Sequence, residues 1–102
     1  MNVIGTGIAS LPNAPSGAHH IGIRPEHIAI VPAGAGHLQG TVDVIEYLGA
    51  DTFVVMACGA AGQVTVRMMG ETTFVPGDTA GLKFAHSHLH FFDDAGLALS
   101  AQ

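Results

Sequence analysis

The run His86-Ser87-His88-Leu89-His90 sets three imidazoles at alternate positions. Alternate side chains of an extended strand share a face, and imidazole suits Zn, Cu or Ni. Two features work against a metal centre. Leu82 and Phe84 precede the run in the same parity, so a continuing strand would turn all three histidines into the core. The strand is therefore expected to end near Ala85. No carboxylate pattern completes a ligand set, although Asp93 and Asp94 lie within reach, and His19-His20 would join only fortuitously. No metal is assigned, and His86, His88 and His90 stand as weak candidates.

Other reactive residues fare no better. Glu46 has no paired acid nearby, so general acid–base work lacks its second group. With Leu48-Gly49 following, it reads as a bulge leading into a tight connection where Gly49 takes positive φ. Cys58 has no local positive charge to make a thiolate and is expected to be an inert core or edge thiol. The single lysine lies in Gly81-Leu82-Lys83-Phe84, so no Lys-Ser or Lys-Thr closes a phosphate loop. Gly5-Thr6-Gly7-Ile8-Ala9-Ser10 starts like a dinucleotide loop but has Ser where the third Gly or Ala belongs. Only Leu11-Pro12-Asn13-Ala14-Pro15 follows, with no helical pattern. There is no Cys-x-x-Cys and no Gly-x-Ser-x-Gly. No catalytic residue and no cofactor of this chain are assigned.

Composition narrows the classes further. The 102 residues carry 3 Lys+Arg against 8 Asp+Glu, a formal charge of −5, and are 48% hydrophobic and 11% charged. That is too apolar for a disordered tail, and one compact domain is expected. Arg24, Arg67 and Lys83 are scattered, so no basic stripe can meet a phosphate backbone. No nucleic-acid partner is expected, and an OB-type nucleic-acid binder ranks last among the readings. The lone cysteine permits no internal disulfide, which fits a reducing compartment. No stretch of about 18 apolar residues could span a membrane, and residues 1–20 lack a signal peptide's form. A cytoplasmic setting is expected.

The elements that must position these residues are short. Fourteen Gly and five Pro cut the sequence into brief apolar runs, which read as strands. Val64, Val66 and Met68 alternate with Thr65 and Arg67. Leu38, Val42 and Val44 alternate with Gln39, Thr41 and Asp43. Residues 51–58 are apolar on both parities, which predicts a central strand covered on both sides, in a hairpin with 38–48. Strands are also expected from Asn2 to Ala9, through Leu82 and Phe84, and at Leu97–Ser100. Pro25 and Glu26 suit the start of a helical turn. Met56, Met68, Met69, Phe53 and Phe74 read as core filling. Phe91 and Phe92 face opposite ways, one into the core and the other toward a partner. The whole reads as a small all-β barrel or sandwich.

Four segments occur in an order that resembles a known family. They are Ile21-Gly22-Ile23-Arg24-Pro25-Glu26-His27-Ile28, Gly40 to Thr52 with Glu46 and Leu48-Gly49, Pro76-Gly77-Asp78, and Leu89-His90-Phe91-Phe92-Asp93. This pattern resembles the C-terminal TOBE-type domain of ATP-binding subunits of ABC importers, in the maltose and glycerol-3-phosphate (sugar) branch. The resemblance covers roughly residues 19–99 and implies an OB-like β-barrel with at most one or two helical turns.

By that resemblance Arg24, Pro25, Glu26, Glu46, Gly49, Gly77, Asp78, His90, Phe92 and Asp93 are family-signature residues and possible interface positions. Met1-Asn2 looks like a cut at a domain boundary. Residues 1–18 would be the strand and loop leading from a missing ATPase half, which would hold ATP and Mg, and 19–102 the barrel. The implied function is a regulatory and dimerisation domain, partnered by that ATPase domain, by a second copy and indirectly by permease subunits. Its place would be at the inner face of the cell membrane. The alternative is a free-standing barrel for an oxyanion such as molybdate or another small ligand. A net −5 suits oxyanions poorly, because they are held by backbone N–H nests and cations.

Overall fold

The computed structural model describes residues 1–6 and 17–99. Nine strands follow in order: β1 (Asn2–Gly5), β2 (His20–Ile23), β3 (Ile28–Pro32), β4 (Leu38–Leu48), β5 (Asp51–Ala57), β6 (Gln63–Met69), β7 (Thr79–Phe84), β8 (His90–Phe92) and β9 (Ala98–Leu99). Short 3-10 turns occupy Pro25–His27, Gly59–Ala61 and His86–His88, and no α-helix occurs among the described residues. None of the described helices is long enough to cross a membrane.

The strands form two antiparallel sheets, ordered β1-β2-β8-β9 and β3-β7-β4-β5-β6. In the larger sheet four antiparallel steps bring β6 round parallel to β3. These two edge strands lie beside each other without a ladder between them, which leaves a seam. The architecture is the expected small all-β, OB-like domain. One core joins both sheets: Ile4, Ile21 and Ile23 pack in the same cluster as Val54, Met56, Val64, Val66 and Leu82.

Several sequence expectations hold. The 38–48 and 51–58 hairpin forms, with Gly49 at φ +67 in its turn. Strand β7 ends at Phe84, so His86 and His88 leave it in a 3-10 turn instead of entering the core, and His90 opens β8 with its side chain exposed. Pro25 opens the predicted helical turn.

Others need correction. Register in β4 slips at Asp43, where Val42 pairs with Met56 but Val44 with Val55. Such a bulge inverts side-chain parity. Val42 is therefore buried, while Val44, expected on the same face, is exposed. The bulge expected at Glu46 sits three positions earlier in the chain, where the 75–78 turn docks. Val42 donates its N–H to the Asp78 carbonyl at 2.8 Å, and Gly77 donates to the Val42 carbonyl at 2.8 Å.

Strand β5, expected to be central and covered on both sides, lies one in from the edge strand β6 and is covered on one side only. Thr52, Val54 and Met56 are buried, and Asp51, Phe53 and Val55 are half-buried. The buried Thr52 hydroxyl is satisfied by the Gly70 carbonyl. Met69 is not core filling. It shares Arg67's parity and is 83% exposed, whereas its neighbour Met68 turns inward. Strand β1 ends at Gly5, and the remainder of the expected strand to Ala9 lies outside the described residues, as does Ser100.

Candidate interaction surface

The signature residues divide into those that make corners and those that face outward. At one corner Asp78 Oδ2 accepts the Val75 N–H at 2.9 Å, and Gly77 takes φ +96. At another, Asp93 Oδ1 accepts from Ala95 N at 3.0 Å and Leu97 N at 2.8 Å. These carboxylates hold their own turns. Gly49 closes the β4–β5 hairpin.

Arg24 is extended, Pro25 fixes the next φ, and the His27 N–H returns to the Arg24 carbonyl at 3.0 Å. The turn lies against β6. Backbone hydrogen bonding holds the exposed Glu26 carboxyl below its usual range, helped by the positive charge of His27, Arg67 and Arg24 and opposed by desolvation. Glu26 thus joins Arg67 and Asp51 around the seam between β3 and β6, a groove of about 590 Å³ walled by Ile28, Ile30 and Met68. Arg67 Nη2 lies 3.1 Å from Asp51 Oδ2. The pair is solvent-exposed, so it contributes about 0–1 kcal/mol to stability.

The outer face of β4, β5 and β6 is set by pairing register. Three cross-strand rows run Leu48–Asp51–Met69, Glu46–Phe53–Arg67 and Val44–Val55–Thr65. Leu48, Met69 and Val44 are exposed on it. Directly opposed side chains across an antiparallel pair are about 5 Å apart, so each row is a contiguous stripe. Glu46 belongs to this face and sits beside Phe53, with no second acid in its row.

His90 and Phe92 lie on the outer face of the small sheet, with His20 and Gly22 beside them. Phe91 points the other way into the core, 6% exposed. Phe92 is half-buried and crosses Gly22: a Cβ there would meet Phe92 Cε2 at 2.9 Å and Met1 Cε at 3.0 Å.

The histidine run does not assemble. His88 stacks on His27 with ring centroids 3.6 Å apart and planes 17° apart. Stacked rings point their in-plane lone pairs outward and not at a shared ion. Among the described residues no three His, Cys, Asp or Glu come together as ligands. Cys58 is buried, and desolvation pushes its thiol upward, away from reactive thiolate.

Two working polar residues escape sequence reasoning. His37 Nδ1 accepts the Phe84 N–H at 3.0 Å. The Asn2 carboxamide accepts the Thr65 N–H at 3.1 Å and donates to the Thr65 carbonyl at 2.8 Å, bridging the small sheet to the free edge of β6. Both contacts span dozens of residues, and no local pattern marks them.

The sequence is similar to those of known proteins. A family model for the TOBE domain matches residues 21–92, from β2 through β8. The chain belongs to the TOBE domain family. The matched span takes in the Arg24-Pro25-Glu26 turn, the bulged β4, the 75–78 corner and the run from His86 to His90. The TOBE chain is 37% identical over 81 residues to an Fe(3+) ions import ATP-binding protein, FbpC 1, of Rhodococcus jostii (strain RHA1), covering 74% of this chain and 23% of that protein. It is 35% identical over 105 residues to the sn-glycerol-3-phosphate import ATP-binding protein UgpC of Cupriavidus metallidurans, covering 96% of this chain and 28% of the relative. Against UgpC of Escherichia coli (strain K12) it is 37% identical over 75 residues, covering 72% and 20%. The chain thus spans about a quarter of the length of the curated relatives it matches.

Proposed function

We propose that this TOBE domain is the C-terminal regulatory and dimerisation domain of the ATP-binding subunit of an ABC importer. The observation that carries this reading is the match, over most of the chain, to about a quarter of each importer subunit. The relatives' names span an iron(III) importer and a glycerol-3-phosphate importer. A domain common to both suits a task that the two systems share, and recognition of the solute belongs elsewhere. The transported solute in this reading is a sugar or a related compound such as glycerol-3-phosphate.

The mechanism is mechanical. The barrel presents protein-facing surfaces and rigid corners, and it pairs with its twin while attached ATPase halves close and separate around ATP and Mg. Its partners are therefore the ATPase domain of the same subunit, a second copy and, indirectly, the permease at the inner face of the membrane. The signature residues serve this role in two ways: Gly49, Gly77, Asp78 and Asp93 fix corners, while Glu26, Glu46, His90 and Phe92 lie at or near the surface.

The test is removal of this domain from the full-length subunit, followed by sedimentation and ATPase assays. Weakened self-association and altered coupling to transport are expected. Unchanged association and regulation would overturn the reading. Calorimetry on the chain with molybdate, tungstate and phosphate is expected to register no binding, and saturable heat would favour a ligand-binding barrel instead.

A further inference from the structure

We propose that the open seam between β3 and β6 is a binding site for a small organic cation, an ammonium head carried on an apolar body. The site arises from the way the larger sheet ends. Its two edge strands, β3 and β6, lie beside each other without a ladder. A ladder would hold them about 4.8 Å apart and fill the space with their own backbone. Left open, the seam keeps a groove of about 590 Å³, within the roughly 300–1,000 Å³ that small-molecule sites occupy. Its wall is apolar: Ile28 is buried, and Ile30 and Met68 are half-buried beside it.

Charge selects the head group. Glu26, Asp51 and Arg67 are the charged side chains that line the groove, so two acids face one base. Arg67 is already engaged, with Nη2 at 3.1 Å from Asp51 Oδ2. Among the described residues Glu26 makes no ion pair. The 25–27 turn lies against β6 and so holds Glu26 at the groove. Backbone hydrogen bonding keeps its carboxyl below the usual range, helped by His27, Arg67 and Arg24 and opposed by desolvation. Arg24 and His27 do not line the groove. Glu26 therefore offers two ionised oxygens to a cation from outside the chain.

An ammonium group donates to such a carboxylate in a charge-assisted hydrogen bond, stronger than a neutral one. The apolar body of the same ligand covers Ile28, Ile30 and Met68 and removes them from water. An anion of equal shape meets the surplus negative charge instead and is turned away. The groove is open to solvent and holds one free charge, so a ligand of about eleven non-hydrogen atoms is expected to bind with a dissociation constant on the order of 1 mM.

Three probes with one body and different heads test this: 4-phenylbutylamine, 4-phenylbutanol and 4-phenylbutyrate. Each is titrated near neutral pH into the isotope-labelled chain, with the amide spectrum as readout. The amine is expected to saturate and to shift the amides of Ile28, Ile30, Arg67 and Met68. The alcohol should bind at least about threefold more weakly and the carboxylate at least about tenfold more weakly. Glu26→Gln should lower the affinity for the amine at least about fivefold and leave that for the alcohol unchanged. Ile30→Ala should weaken both alike. Glu26 is exposed, so its variant is expected to keep the fold, which an unchanged spectrum away from the seam establishes.

Equal binding of the three probes would overturn the proposal, as would shifts confined to another surface. Absence of saturation by the amine at about 10 mM, or amine binding indifferent to Glu26→Gln, would do the same. The site goes beyond the importer reading and does not rest on it, so its failure leaves the domain-deletion experiment to decide that reading separately.

Discussion

The two sheets share one core but are held in different ways. In the larger sheet, strands of five to eleven residues pair in continuous ladders. Its outer face mixes exposed Leu48, Met69 and Val44 with Glu46, Asp51 and Arg67. The smaller sheet has strands of two to four residues. Strands this short make few ladder hydrogen bonds of their own, and Ile4, Ile21, Ile23 and Phe91 tie them to the shared core. Among the described residues this sheet's outer face carries no carboxylate or basic side chain apart from His20 and His90, and Phe92 folds back over Gly22 instead of standing free. The contrast suggests a division of labour. The larger sheet supplies order and a surface that mixes charged and apolar side chains. The smaller is a lid whose order depends on the core beneath it.

The strongest way to break that contrast is to remove equal buried volume from each side. Leu82 in β7 and Ile21 in β2 are both fully buried in the same cluster. Leu82→Ala and Ile21→Ala should each cost about 2–5 kcal/mol. Both should show a single urea transition, with circular dichroism and aromatic fluorescence coincident, because the lid and the larger sheet share their apolar contacts. If Ile21→Ala leaves the global midpoint unchanged while only the β1, β2 and β8 amides exchange quickly, the lid is a separate unit and the shared core does not couple it.

A smaller effect sharpens the same comparison at the point where the sheets are joined by polar groups. Asn2→Ala removes both hydrogen bonds to Thr65 and uncovers part of the β6 edge. A loss of about 1–2 kcal/mol is expected, with faster exchange of the β1 amides and little change in β5. Asn2→Asp keeps the acceptor for the Thr65 N–H but sets a carboxylate against the Thr65 carbonyl, so it should rescue little. Equal exchange rates in the two variants and the wild type would show that β1 is held by its ladder to β2 and by Ile4, without help from the Asn2 bridge.

The same division explains what could be read in advance. In the larger sheet, Val64-Thr65-Val66-Arg67-Met68 alternates cleanly and the 38–58 hairpin is contiguous, so local pattern and global pairing agree. Even there, the one-residue slip at Asp43 was invisible. Nothing in Val42-Asp43-Val44 marks the bulge, which is fixed by the 75–78 turn more than thirty residues away. Apolar residues on both parities of 51–58 suggested cover on both sides, yet Phe53 and Val55 belong to the half-open outer face. Apolar residues left on a half-open outer face look the same in sequence as apolar residues of the core. The lid was least legible, because its four strands come from both ends of the chain and are too short for periodicity to register. The signature residues were found by their order along the chain, and only the structure separates corner-makers such as Asp93 from outward-facing Glu46.

The smallest expected effect belongs to the larger sheet alone and appears only in alkali. Cys58 follows β5 and fills the space over Gly40, where a Cβ would come within 2.6 Å of Sγ. Its folded-state acidity is weakened by desolvation, so the native thiol keeps its proton at a pH where the unfolded thiol has lost it. The unfolded chain then binds fewer protons, and stability falls as pH rises above about 8.5. Below that pH the group contributes no slope. Urea midpoints at pH 7.5 and 9.5 should therefore drop more for the wild type than for Cys58→Ala, since Lys83 and Tyr47 are common to both chains. In the native state, iodoacetamide should label Cys58 only as fast as the site opens, and addition of urea should accelerate the reaction. Rapid labelling without denaturant, together with identical pH slopes in the two chains, would mean that the end of β5 is open to water and that the larger sheet is less complete than its ladders suggest.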